Sequence, residues 1–137
     1  MIVLPDTELL VLEALRSYLP GEGTYHVEVP NDWNQKLPYA VATKIPGGKS
    51  EDPRFIEHAF FSVHTVASTR KTSSNFARKI QGALFQAARD KFHTSEGVVS
   101  WMQVTKGPVP VRDGLVGKHP DAYMFDATYN MKFSVPT

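Results

Sequence analysis

Apolar side chains recur along this chain with two different periods, and each change of period marks an element. Leu9, Leu12, Leu15 and Leu19 stand three or four residues apart, which lines one face of a helix from about Pro5 to Leu19. Pro5 suits the first helical position, and Asp6 and Glu8 suit the positive end of the helix dipole. Pro20 and Gly21 end the helix, because proline brings no amide hydrogen and glycine accepts a left-handed turn. The period then shortens to two. Strands are predicted over Thr24–Val29, with Tyr25, Val27 and Val29 alternating, over Tyr39–Ile45, with Tyr39, Val41 and Ile45, and over Glu57–Ala67. Asn31–Pro38 and Pro46–Pro53 read as the loops between them. In the third run Ala59, Phe61 and Val63 oppose His58, Phe60, Ser62 and His64, so this strand is the candidate for the centre of a sheet.

Helical spacing returns at Phe76, Ile80, Leu84 and Ala87, on a helix capped by Ser68 or Thr69 and reaching about Phe92. At about 100° per residue, Lys71, Arg78 and Arg89 fall together on its opposite side. Phe85 and Phe92 sit between this basic stripe and the apolar arc. A solvated basic face edged by core aromatics is the ordinary reading of such a pattern. A subunit interface at Phe85, Arg89 and Phe92 is the sharper one. Val98–Thr105 is predicted as a fourth strand, and Lys106–Asp121, rich in glycine and proline, as a long loop protruding as an arm. Tyr123–Val135 alternates throughout and closes the chain as a fifth strand.

The order helix, three strands, helix, two strands implies an α+β fold: a mainly antiparallel sheet of about five strands with two helices packed on one face, the other face largely polar. With 137 residues, 42% apolar and 21% charged, the chain is expected to be one domain over residues 1–137. It has no cysteine, which excludes disulfides, thiolate nucleophiles and cysteine zinc sites. Met1–Leu4 is too short an apolar run for a signal peptide or a membrane span, so the chain is expected to be soluble and unexported. The net charge of +1 conceals an asymmetry: residues 1–69 hold five basic and nine acidic side chains, residues 70–137 ten and five. A dipolar chain of this kind can attract copies of itself head to tail or turn one side to a phosphate backbone.

Catalytic patterns are weak. Gly47, Gly48, Lys49 and Ser50 look like the end of a phosphate-binding loop, but Thr43 stands where the first glycine belongs and Pro53 follows too soon for the required helix. His58 and His64, six strand residues apart, are about 20 Å from each other, too far to share an ion. His26, His93 and His119 have no carboxylate at a regular ligand offset, no glycine pair brackets a serine, and Glu51 and Asp52 read as a solvated turn. No catalytic, cofactor or metal residue is assigned, and no enzyme is expected. Nor does an aromatic pair stand out on a polar strand face as a base-stacking platform.

With the elements laid out, the chain resembles the tail terminator, or tail completion, proteins of bacteriophages with long non-contractile tails. The likeness runs through Asp6-Thr7-Glu8-Leu9-Leu10-Val11-Leu12, Leu15-Arg16, Leu19-Pro20, the strand Leu37–Ile45 leading to Gly47-Gly48, the strand and alanine-bearing helix around Val63–Ala88, and Gly107-Pro108. Pro46 departs from the family's pattern, in which a basic residue tends to precede the double glycine. The resemblance implies a hexameric ring at the head-proximal end of the tail tube, at the head-tail junction of a virion assembled in the host cytoplasm. Such a ring ends tube polymerisation, and its partners are other copies, the tail tube protein and a head completion protein; no membrane is involved. DNA passes through without sequence recognition, and Lys71 and Arg78 are the basic residues expected to face it. Subunit or partner contacts are expected at Phe85, Arg89, Phe92, Val109, Val111, Arg112, Leu115 and Lys118. Another neck or head-to-tail joining protein of a tailed phage is the alternative, and an enzyme with a site assembled only by folding is a third class.

Overall fold

The computed structural model describes residues 4–52, 56–111 and 122–136, with residues 48–52 described as backbone only. Two helices, α1 (Thr7–Tyr18) and α2 (Arg70–Asp90), cover one face of a sheet made of β1 (Thr24–His26), β2 (Tyr39–Asp52), β3 (Ile56–Ala67), β4 (Val98–Pro110) and β5 (Tyr123–Ser134). The strand order is β1-β2-β3-β5-β4, so β3 is central as its double-sided pattern predicted. All pairings are antiparallel except β1 with β2.

Asp6, and not Pro5, sets where α1 begins. Its carboxylate accepts the Leu9 N–H at 3.1 Å, which makes it the cap and leaves Pro5 outside the helix, buried. Pro5 packs there against Gly97, where a Cβ would meet Pro5 Cβ at 2.9 Å and the Ser134 carbonyl at 2.6 Å. The buried face of α1 is centred on Leu10, Val11, Ala14 and Leu15, with Leu9 and Leu19 at its margins. In α2, Thr69 Oγ1 caps the Thr72 N–H at 3.1 Å, and Phe76, Ile80, Leu84 and Ala87 face the core as expected. Ser73 is fully buried there and donates to the Thr65 carbonyl of β3 at 3.1 Å, which ties helix to sheet. Facing the helices from the sheet are Ala59, Phe61 and Val63 of β3, Ala127, Tyr129, Met131 and Phe133 of β5, and the small residues Ala40 and Ala42 of β2.

Three strand boundaries differ from the sequence expectation by several residues. Strand β1 ends at His26, and Val27 and Val29 are exposed, because a strand lying parallel to the next must leave the sheet to return at the same end. Residues 27–38 make that crossover through a short 3-10 turn at Trp33–Gln35. Strand β2 does not stop at Ile45: its ladder to β3 breaks between Ile45 and Lys49 and resumes, so Pro46, Gly47 and Gly48 form a bulge and not a loop. Gly47 has φ 123°, a conformation that suits glycine. Strand β4 likewise continues to Pro110, past the expected end at Thr105. It shifts register at Val99/Trp101, Val104/Lys106 and Lys106/Val109, and an edge strand tolerates Pro108 and Pro110. The first five residues of the expected loop are therefore strand, and residues 112–121 lie outside the described residues.

Candidate assembly interface

The sheet face opposite the helices is not uniformly polar. Strand pairing arranges its side chains in rows: Tyr39, Val66 and Met124; then Val41, His64, Asp126 and Val109; then Thr43, Ser62 and Thr128; then Ile45, Phe60, Asn130 and Gln103; then His58, Lys132 and Trp101. Chemistry changes from apolar to charged to aromatic along these rows.

At the apolar end, Tyr39, Val41, Val66 and Ala122 form a second cluster, joined by Trp33, Leu37 and Met124. Period two in β2 put its large residues here and its alanines under α1, where helix and sheet approach closely. A groove of about 470 Å³ opens over the cluster, lined by Val29, Tyr39, Val41, Thr43, His64, Val66, Val111, Met124 and Asp126. Burial raises the pKa of the Tyr39 phenol, and the His26 ring stands edge-on to it, with centroids 6.3 Å apart.

Asp126 anchors the charged middle. Its carboxylate takes Lys106 Nζ at 2.5 Å, the Ser62 hydroxyl at 3.3 Å and His64 Nε2 at 3.2 Å. His64 Nδ1 lies 3.2 Å from the Met124 sulfur, so the same histidine borders the groove. His58, on the same face, bonds to Asn130 instead, so each histidine has its own neighbours. Among the described residues, no group of three His, Asp or Glu side chains is placed to hold a metal ion.

The aromatic end corrects a sequence expectation. Trp101 is 38% exposed, with Lys132 Nζ 5.2 Å from its ring centroid and the His58 ring edge-on at 6.5 Å. Phe60 lies 5.6 Å from His58. An aromatic patch does stand on the open face, because pairing across β3, β5 and β4 aligns residues far apart in sequence. Alternation along β4, with Met102 buried, was the signal that Trp101 faces the other way.

The interface residues expected from sequence divide between two opposite surfaces. Phe85 is 44% exposed on the outside of α2, with Arg89, Arg78 and Lys71 also exposed. Arg78 bonds to Asn75 and to the Ser74 carbonyl. Phe92 differs: it packs against the core, edge-on to Tyr18 at 5.8 Å, and is half-buried. Val109 is exposed on the open sheet face, and Val111 lines the groove, its N–H bonded to the Met124 carbonyl at 3.0 Å. Arg112, Leu115 and Lys118 lie outside the described residues. Lys49 of the glycine-rich string sits in the β2 ladder opposite His58, and the next element among the described residues is strand β3 and not a helix whose N-terminus could hold a phosphate.

No family model matches this chain, and no curated protein matches it. Its fold does match a chain in the solved structure of the virion of a native gene transfer agent (GTA) particle, with a TM-score of 0.65 at 15% identity over 93% of each chain. At that identity the likeness is one of fold.

Proposed function

We infer that this protein is a structural subunit of a phage-like virion and works as a tail terminator, forming a ring on the head-proximal end of the tail tube. The observation that carries the reading is the fold shared, over nearly all of both chains, with a component of a virion particle. The family resemblance of the sequence supports it independently. Exposed apolar and aromatic side chains on the open sheet face, Trp101 and Val109 among them, suit a subunit that packs against neighbours. The reading assigns no catalytic step and no cofactor. Its partners are other copies, the tail tube protein and a head completion protein, with DNA passing through the ring by contacts to phosphate and not to bases.

Electron microscopy of the purified protein mixed with tail tubes tests this. Rings capping one tube end, together with tubes of defined length, are the expected result. Binding to head portals with no affinity for tube ends would identify a head-to-tail joining protein instead. Absence of binding to either would sink the reading.

A further inference from the structure

The outer face of α2 concentrates positive charge. The helix carries Arg70, Lys71, Arg78, Lys79 and Arg89 and a single carboxylate, Asp90, so it is +4 in a chain of net charge +1, and the remaining residues together are −3. At about 100° and 1.5 Å per residue, Lys71, Arg78, Gly82 and Arg89 fall within about 40° of one another and form a straight stripe about 27 Å long. All four are exposed. The carboxylates bonded to α2 stand on the flank that faces α1 and the turn after it, and both are engaged. Glu22 pairs with Lys79 at 3.2 Å, and Asp90 accepts from Gln86 and from the Tyr18 hydroxyl, each at 2.8 Å. Arg78 is held by neutral groups, the Asn75 side chain and the Ser74 carbonyl, which orient it without cancelling its charge. Among the described residues, no ion pair joins Lys71, Arg78 or Arg89 to a carboxylate.

Gly82 is a second and independent observation. Glycine inside a helix weakens it relative to alanine, and it suits positions where something approaches the backbone closely. Within the chain nothing does: a Cβ added at Gly82 would meet no atom within 4 Å. The close approach that this glycine permits therefore comes from outside the molecule, at the middle of the cationic line.

We propose that this stripe is a phosphate-binding surface for duplex DNA, with Lys71, Arg78 and Arg89 contacting the phosphate backbone and Gly82 letting the helix lie close against it. The inference rests on the ring reading, in which it turns α2 toward the bore and moves Arg89 from the expected subunit contact to the DNA side. Duplex DNA carries about one negative charge per 1.7 Å of its axis, so a straight row of cations finds phosphates at any sequence. Phe76, Ile80, Leu84 and Ala87 hold the opposite side of α2 in the core, so the row is set before binding and little ordering entropy is lost. Cations in line, with bare backbone between them and no apolar side chain on the line itself, favour a polyanion. Phe85 stands at the edge of the stripe, so an acidic protein surface anchored on that ring is the competing occupant.

The test titrates a fluorescent DNA duplex of arbitrary sequence with the full chain and reads anisotropy from low to physiological salt. Three phosphate contacts predict a slope of about −3 for log affinity against log salt, and Arg78→Ala and Arg89→Ala should each reduce it by about 1 and weaken binding severalfold. Lys36→Ala removes an equal charge from the exposed crossover between β1 and β2, and it should leave the slope unchanged. Gly82→Leu puts a strong helix former at an open position, so it should melt no lower than the wild type by circular dichroism, yet bind the duplex severalfold more weakly. No binding at the lowest salt overturns the proposal. So does a slope that Lys36→Ala lowers as much as Arg78→Ala, or a Gly82→Leu chain that binds as well as the wild type. If Phe85→Ala and Arg89→Ala abolish binding to tail tubes while the wild type ignores the duplex, the stripe serves a protein partner: the proposal falls and the ring stands. Stripe-dependent DNA binding by a chain that forms no ring on tubes sinks the ring reading and leaves the phosphate surface in place.

Discussion

At the scale of single residues, burial decides which side chains carry stability and which are free for contact. Phe61 is fully enclosed and packs edge-on to Phe133 at 5.8 Å, so Phe61→Ala leaves a cavity at the centre of the sheet. It is expected to cost about 3–5 kcal/mol, read from urea unfolding. Trp101→Ala, on the open face, should cost less than about 1 kcal/mol in the same measurement, because Trp101 is exposed and loses mainly its cation–π contact. Tyr25 links burial to pH. Burial first, then the charge of Glu22, pushes its phenol up to about 12, while the phenol donates to the Leu19 carbonyl at 2.8 Å. In the unfolded chain the phenol ionises at about 10, so its contribution is complete below that pH and is lost as pH rises from about 10 to 12. Denaturation midpoints followed across that range should fall more steeply for the wild type than for Tyr25→Phe. His26 acts in the opposite direction of pH. Burial, then Lys36 and Arg16, lower its pKa, so the unfolded chain takes up a proton first and stability declines as pH falls below about 6.5. His26→Gln should flatten that acid limb.

At the scale of elements, caps and edges show how short-range signals set boundaries. Thr69→Ala removes the acceptor for the Thr72 N–H and is expected to lower stability by about 1 kcal/mol, seen as a lower melting temperature by circular dichroism. The long strands carry open edges that invite pairing with foreign strands, and both edges are partly closed. On β2, Glu8 accepts the Lys44 N–H at 3.0 Å, and Pro46 brings no donor. On β4, Lys91 Nζ donates to the Ser100 carbonyl at 2.6 Å, and Pro108 and Pro110 follow. The prolines and glycines of these stretches read from sequence as loops because that is their commonest use. In the sheet they mark bulges on strands that keep going, and only the pairing partner distinguishes the two.

At the scale of the whole molecule, charge and topology govern association. The two halves of the chain differ in sign, so copies can attract one another through charge. Self-association measured by light scattering is therefore expected to weaken as salt is raised from low ionic strength, since exposed pairs are screened beyond about 10 Å at 0.1 M. Association that strengthens with salt would mean that apolar burial alone holds the copies together.

Local periodicity by itself determined the α+β class, the order of elements, the central place of β3, and most of the face that α2 buries, because those features depend on which residues recur every second or every third to fourth position. It also put Phe85 outside the core and exposed the basic stripe. Tertiary structure alone decided that β1 runs parallel to β2, which cuts that strand at His26, and that β2 and β4 continue through their glycines and prolines. It alone brought Tyr39, Val66 and Met124 together into a groove and set Trp101 beside Lys132 and His58. These residues are neighbours only through strand pairing across the sheet, a long-range relation that no local pattern encodes.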